Sequence, residues 1–247
     1  MNKIKKELNE FKVLLRNIPA VILMLFGISI VMMNLLANKS IDFSIDWLAL
    51  DCGIMMSWLA FMVMDLITKR FGAKASNLIS IFVTVVNLGI CLILFLVSKL
   101  NGYWGESYVV GSENIINNAL NNTFGGTWYI LLGSTIAFIV SAFVNNFSNA
   151  AINKLFKKNP NGIKAYISSA YLSTMIGQFV DNFIFSLLVS HFFFGWTLIQ
   201  CITSALLTSI VELVCEVIFS PIGYRILKKW EKENIGKEYL NYIKENN

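Results

Sequence analysis

Residues 196–220 read WTLIQCITSALLTSIVELVCEVIFS. The run is long enough to cross a bilayer as a helix, which takes about 20 residues. It also holds two carboxylates one turn apart, Glu212 and Glu216. A charged side chain near the centre of a bilayer costs roughly 2.5–3.5 kcal/mol on insertion scales. Acids retained there face a cavity and mark the path of a substrate or an ion. A third acid, Asp181, lies in the preceding apolar run.

The rest of the chain fits that setting. Of its 247 residues 56% are apolar and 14% charged, the composition of a polytopic membrane protein rather than a soluble domain. Six apolar stretches predict six transmembrane helices in an all-α fold: Ile18–Leu36, Trp47–Ile67, Leu78–Val97, Thr127–Phe147, Ile167–Ser190 and Trp196–Ser220. Of the 20 Lys and Arg residues, all but Lys39 and Lys99 fall in the two tails and in the second and fourth connections. Cytoplasmic loops collect such residues, so both termini are expected in the cytoplasm. The basic pI therefore follows from topology, and nucleic-acid binding is not expected. The first apolar stretch is too long for a signal-peptide core, so no cleavage is expected. The organisation read is a cytoplasmic amphipathic segment over residues 1–17, a six-helix domain over 18–220 with an outer loop at 101–126, and a cytoplasmic helix over 221–247.

Cys52, Cys91, Cys201 and Cys215 stand singly, with no ligand or disulfide spacing, and His191 is the single histidine. No metal, no cofactor and no nucleophile–base pair is expected, and hence no enzyme. His191 reads as an interfacial polar residue. In the tail, Ile4, Leu8, Phe11 and Leu15 recur at helical spacing, as do Trp230, Ile235, Tyr239 and Ile243 after Lys228. Both segments read as membrane-surface helices, with partner binding the lesser alternative. In the outer loop Ile115, Ile116, Ala119, Leu120 and Phe124 predict a short helix, either passive at the interface or a lid.

Two spans echo one another. Ser141-Ala-Phe-Val-Asn-Asn-Phe147 and Gly177-Gln-Phe-Val-Asp-Asn-Phe183 agree at four of seven positions. Transporters are often built from repeats that meet at the substrate, and chance similarity is the alternative. The echo pairs Asn145 with Asp181 and Ala142 with Gln178. Polar residues also recur every fourth position: Thr174, Gln178, Asn182, Ser186 and Ser190, then Gln200, Ser204, Thr208, Glu212, Glu216 and Ser220. Such rows drift by about 40° per step, so three or four members of each can share a cavity. Ser186, Ser190, Ser204 and Ser220 read as interhelical glue. Gln178, Asp181 and Asn182, and the two glutamates, read as a binding site. Asp65, four before Lys69, reads equally as a helix-end ion pair or a functional acid.

Further motifs are Asn34-Leu-Leu-Ala-Asn-Lys39, Asp65 with Phe71-Gly72, Ser173-Thr174, Gly177-Gln178, Asp181 with Phe185, and Pro221 with Tyr224. In their order and spacing the chain resembles the vitamin uptake transporter family, whose members are queuosine-precursor transporters. Ala142 and Asn145 stand where that family often has Gln and Asp, and a Lys is common near Glu212, so the ligand could differ within the family. The resemblance implies a multi-pass importer in a bacterial plasma (inner) membrane. Its substrate would be a 7-deazaguanine, in the cyano or aminomethyl form, or queuine. The fold is similar to the membrane subunits of energy-coupling-factor vitamin importers. The alternative is accordingly such a substrate-binding subunit for another vitamin, dependent on a separate ATPase. The expected partners are the small-molecule substrate, membrane lipids and, as an option, a second copy of the chain.

A guanine-like edge offers adjacent N–H donors that one carboxylate can accept as a charge-assisted pair. Gln178, Asp181, Asn182, Glu212, Glu216, Asn145 and Asn34 are the expected polar contacts. Trp58, Phe179 and Phe183 are the expected aromatic faces for a flat ring.

Overall fold

The computed structural model describes residues 3–105, 110–155 and 163–246. In chain order they form α1 (Lys3–Asn17), α2 (Ala20–Leu36), a hairpin of β1 (Ser40–Asp42) and β2 (Ala49–Asp51), α3 (Ile54–Phe71), α4 (Ala73–Val97) and α5 (Glu113–Leu155). Next come α6 (Ile163–Phe185), a π-helical turn (Ser186–Ser190), α7 (His191–Phe194), α8 (Leu198–Lys232) and α9 (Lys237–Asn246). The protein is an all-α membrane protein with one small hairpin. Among the described residues four segments are long and apolar enough to cross a bilayer: Ala73–Val97, Glu113–Ser141, Thr174–Phe194 and Leu198–Lys232. The bent pair α1–α2 raises that to five. The remaining expected span, α3, has 18 residues and carries Asp65, Lys69 and Arg70 in its second half.

Several boundaries differ from the sequence expectation, each for a local reason. Trp47–Gly53 is not the start of a helix. Its strand pairs Ser40 with Asp51, Ile41 with Leu50 and Asp42 with Ala49. Asp42 and Asp51 then turn the chain by accepting from Ser44 N–H at 2.7 Å and Gly53 N–H at 2.8 Å. Asp side chains favour such turns over helix. The expected outer helix at 115–124 is the beginning of α5, which runs unbroken through the fourth span. At the other end α8 does not stop at Ser220 but continues through Pro221. Proline removes the N–H that would serve the carbonyl four residues back. Ser220 Oγ donates to that carbonyl, Val217 O, at 3.0 Å, so the helix continues without an orphaned acceptor.

The chain divides into two compact units, Met1–Met33 with Met55–Ile90 and Cys215–Asn247, and Asn34–Ile54 with Cys91–Val214. In the first unit Leu14, Ile18, Ile22 and Phe26 pack with Val63, Ile67, Phe71, Ile79, Trp230 and Tyr239. Of the expected stripe Phe11 and Leu15 pack against this core, but Leu8 is exposed, while Glu10 and Leu14 are buried. Glu10 tolerates burial because Lys74 Nζ donates to it at 2.5 Å and Tyr239 Oη at 3.3 Å. Burial, then the Glu10 charge and its hydrogen bond, push the Tyr239 hydroxyl up to about 12. Asn17 Nδ2 donates to Glu238 at 3.2 Å and Arg70 Nε to Ile235 O at 2.8 Å. The terminal helices thus clasp each other and the α3–α4 turn.

In the second unit α5 meets the π turn closely. A Cβ at Gly133 would collide with Val189, and Tyr129 Oη donates to Leu188 O at 2.7 Å. The hairpin covers the start of α8: Thr203 Oγ1 donates to Trp47 O at 2.6 Å, and Ala49, Trp196 and Cys201 form a buried cluster flanked by Phe183 and Phe194. Thr197 and Gln200 form a capping box, with Thr197 N–H to Gln200 Oε1 at 2.8 Å and Gln200 N–H to Thr197 Oγ1 at 3.2 Å. Gln200, the first member of the α8 polar row, therefore starts the helix.

Candidate functional site

Gln178, Asp181 and Asn182 lie at positions i, i+3 and i+4 of α6, so they share one face. Asn182 Nδ2 donates both of its hydrogens within the protein, to Gln178 O at 2.9 Å and to Glu212 Oε2 of α8 at 3.2 Å. From α5, Ser141 Oγ donates to Asp181 Oδ1 at 2.9 Å. Three helices of one compact unit thereby bring four of the expected residues together. Glu212 is 2% exposed and Gln178 7%. Gln178 Oε1 is enclosed and has no hydrogen-bond partner among the described residues. An unpaired buried acceptor costs about 1–3 kcal/mol, which a bound N–H or O–H donor would recover. With the Asn182 hydrogens spent, the cluster is rich in acceptors. It suits a ligand that presents donors.

On the same helix the Phe179 and Phe183 rings stack in parallel, 5.9 Å apart at 4°. Asn34, 2% exposed, opens the same unit. The α8 row is buried at Ser204, Thr208 and Glu212 and exposed at Ser220, as its drift around the helix requires. Ser186 and Ser190 are buried with Ser204, while Ser220 instead serves its own helix. Asn145 lies on α5, and its side chain falls outside the described residues.

Two expected contacts belong to the other unit. Glu216 follows Glu212 by one turn but sits within electrostatic reach of Asp65 and Lys69. Those two form the helix-end pair at 3.6 Å. Trp58 stacks on Phe219 at 4.5 Å and 15°, and its Nε1–H donates to Met55 O at 3.0 Å. One of its faces is already covered.

Ser141 is the residue that sequence reasoning passed over. Its signal was present, because it opens the echo segment, yet a lone serine among apolar residues reads as glue until its partner is seen. Among the described residues no group of three His, Cys, Asp or Glu could hold a metal ion, and none of the four cysteines is in a disulfide. His191 is exposed and its Nδ1 lies 2.5 Å from Trp196 O.

No curated protein and no solved structure matches this chain. A family model described as "Putative vitamin uptake transporter" does match, over residues 51–226, which run from α3 into α8 and include Asp65, Asp181, Glu212 and Glu216. The chain belongs to the vitamin uptake transporter family.

Proposed function

We propose that the protein imports a queuosine precursor, a 7-deazaguanine, across the plasma membrane of a bacterium, with six spans and both termini in the cytoplasm. The observation that carries this reading is the junction of Asp181, Gln178, Asn182 and Glu212 on α6 and α8. A guanine-like edge carries a ring N–H beside an exocyclic amine. Asp181 accepts both, since charge-assisted pairs of this kind are about twice as strong as neutral ones. Gln178 Oε1 takes a further donor, and the Phe179–Phe183 stack supplies an apolar wall for the ring. Glu212 attracts the positive charge of an aminomethyl or queuine side chain, and Glu216, within reach of Asp65, can carry a proton. Asn34 and Asn145 are secondary contacts. The placement of basic residues supports the orientation.

The test uses a host that makes queuosine only from an imported precursor. At limiting precursor, Asp181→Ala should reduce queuosine in tRNA at least tenfold while the protein stays in the membrane fraction. Unchanged tRNA modification would remove Asp181 from the site.

A further inference from the structure

The outward face of α1 is chemically unlike the face it packs. Lys5, Leu8, Lys12 and Arg16 are exposed and lie at i, i+3, i+7 and i+11, on one side of the helix. Glu7, the exposed acid of this helix, lies off that stripe. The opposite face is fixed by the Glu10–Lys74 pair and by Leu14 and Ile18 in the core. The stripe is therefore held in place rather than tethered. Pro19 ends α1, and α2 leaves it at 105°. The exposed residues of α2 next to this elbow are Val21, Met24, Leu25 and Ile28, a continuous apolar ridge.

From this juxtaposition we infer that the α1–α2 elbow is a binding site for an anionic phospholipid, with its headgroup on Lys12 and Arg16 and an acyl chain along Val21, Met24 and Ile28. The geometry follows from the bend. If α2 stands in the bilayer, α1 lies nearly parallel to its surface, at headgroup level. Lys and Arg stems bury along the interface while their charges reach the phosphates, and the exposed Leu8 enters the acyl boundary between two cations. The complementarity favours lipid over an acidic protein, because a protein partner would leave the ridge of α2 uncovered and the lipid covers both. The inference is independent of what the transporter carries.

The experiment titrates purified full-length protein in detergent with phosphatidylglycerol or with phosphatidylcholine and follows thermal unfolding. Phosphatidylglycerol should stabilise the wild type at lower concentration. A variant carrying K5Q, K12Q and R16Q should lose on the order of a hundredfold in apparent phosphatidylglycerol affinity, since each basic residue near an anionic surface contributes about 1 kcal/mol. Its response to phosphatidylcholine should be unchanged. R16Q alone, which leaves most of the helix intact, should lose about fivefold. A control carrying K237Q and K244Q removes exposed charge from α9 and should keep the preference. Equal affinity for both lipids in the wild type would overturn the inference in favour of a solvated stripe or an acidic protein partner. So would a preference that survives the triple variant, or one lost equally in the α9 control.

Discussion

Asn182 holds the candidate site together with a single nitrogen, whose two hydrogens join α6 to itself and to α8. Replacing it with Asp removes both donors and sets a carboxylate 3.2 Å from where Glu212 lies. A hydrogen bond to a charged group contributes about 1.5–3 kcal/mol and an orphaned partner costs a similar amount. Asn182→Asp should therefore lower stability by at least about 2 kcal/mol, read as a fall in the unfolding midpoint of the purified protein. An unchanged midpoint would mean that the α6–α8 junction is held by other contacts. The same residue shows how far single positions can be read from sequence. Its polarity inside a span was legible, and so was its place beside Gln178 and Asp181. Its role as a clasp was not, because the partner lies 30 residues away and spacing along one helix carries no information about a second.

At the level of elements, the junction between α8 and α9 depends on a backbone conformation. Gly236 has φ +82, and a Cβ there would strike the Phe71 ring. An L side chain is disfavoured at that φ. Gly236→Ala combines strain with a steric collision, so it should cost about 1–3 kcal/mol and loosen the clasp of α1 and α9. Faster proteolysis of the C-terminal segment would report that loosening. A variant as resistant as the wild type would show that the clasp does not need this turn. Elements were legible to different degrees for physical reasons. Long apolar runs such as α4 declare themselves, since few other structures can satisfy their backbone in lipid. The hairpin at Ser40–Asp51 was hidden, because Trp47, Leu48, Ala49 and Leu50 look like the entry to a span until strand pairing claims them. The passage of α8 through Pro221 was hidden as well, because it relies on one Ser220 hydrogen bond.

For the whole molecule, the proposed import function requires that this chain suffice for movement of its substrate. Reconstituted alone in proteoliposomes, it should take up labelled precursor without ATP. Strict dependence on an added ATPase would favour a substrate-binding subunit of a larger importer. Composition, charge placement and apolar periodicity determined by themselves that the protein is helical and embedded in a membrane. These properties are sums over local choices, each imposed by the bilayer on nearby residues. The sequence also nominated Asp181, Gln178, Asn182 and Glu212, because polar groups in lipid are expensive wherever they occur. Only the tertiary structure decided which of the nominated residues meet. Glu212 and Glu216 are one turn apart and chemically identical, yet one joins the α6 cluster and the other joins Asp65 and Lys69. A polar row at four-residue spacing winds around its helix, and what each member faces is set by the packing of neighbouring helices, which no local pattern encodes.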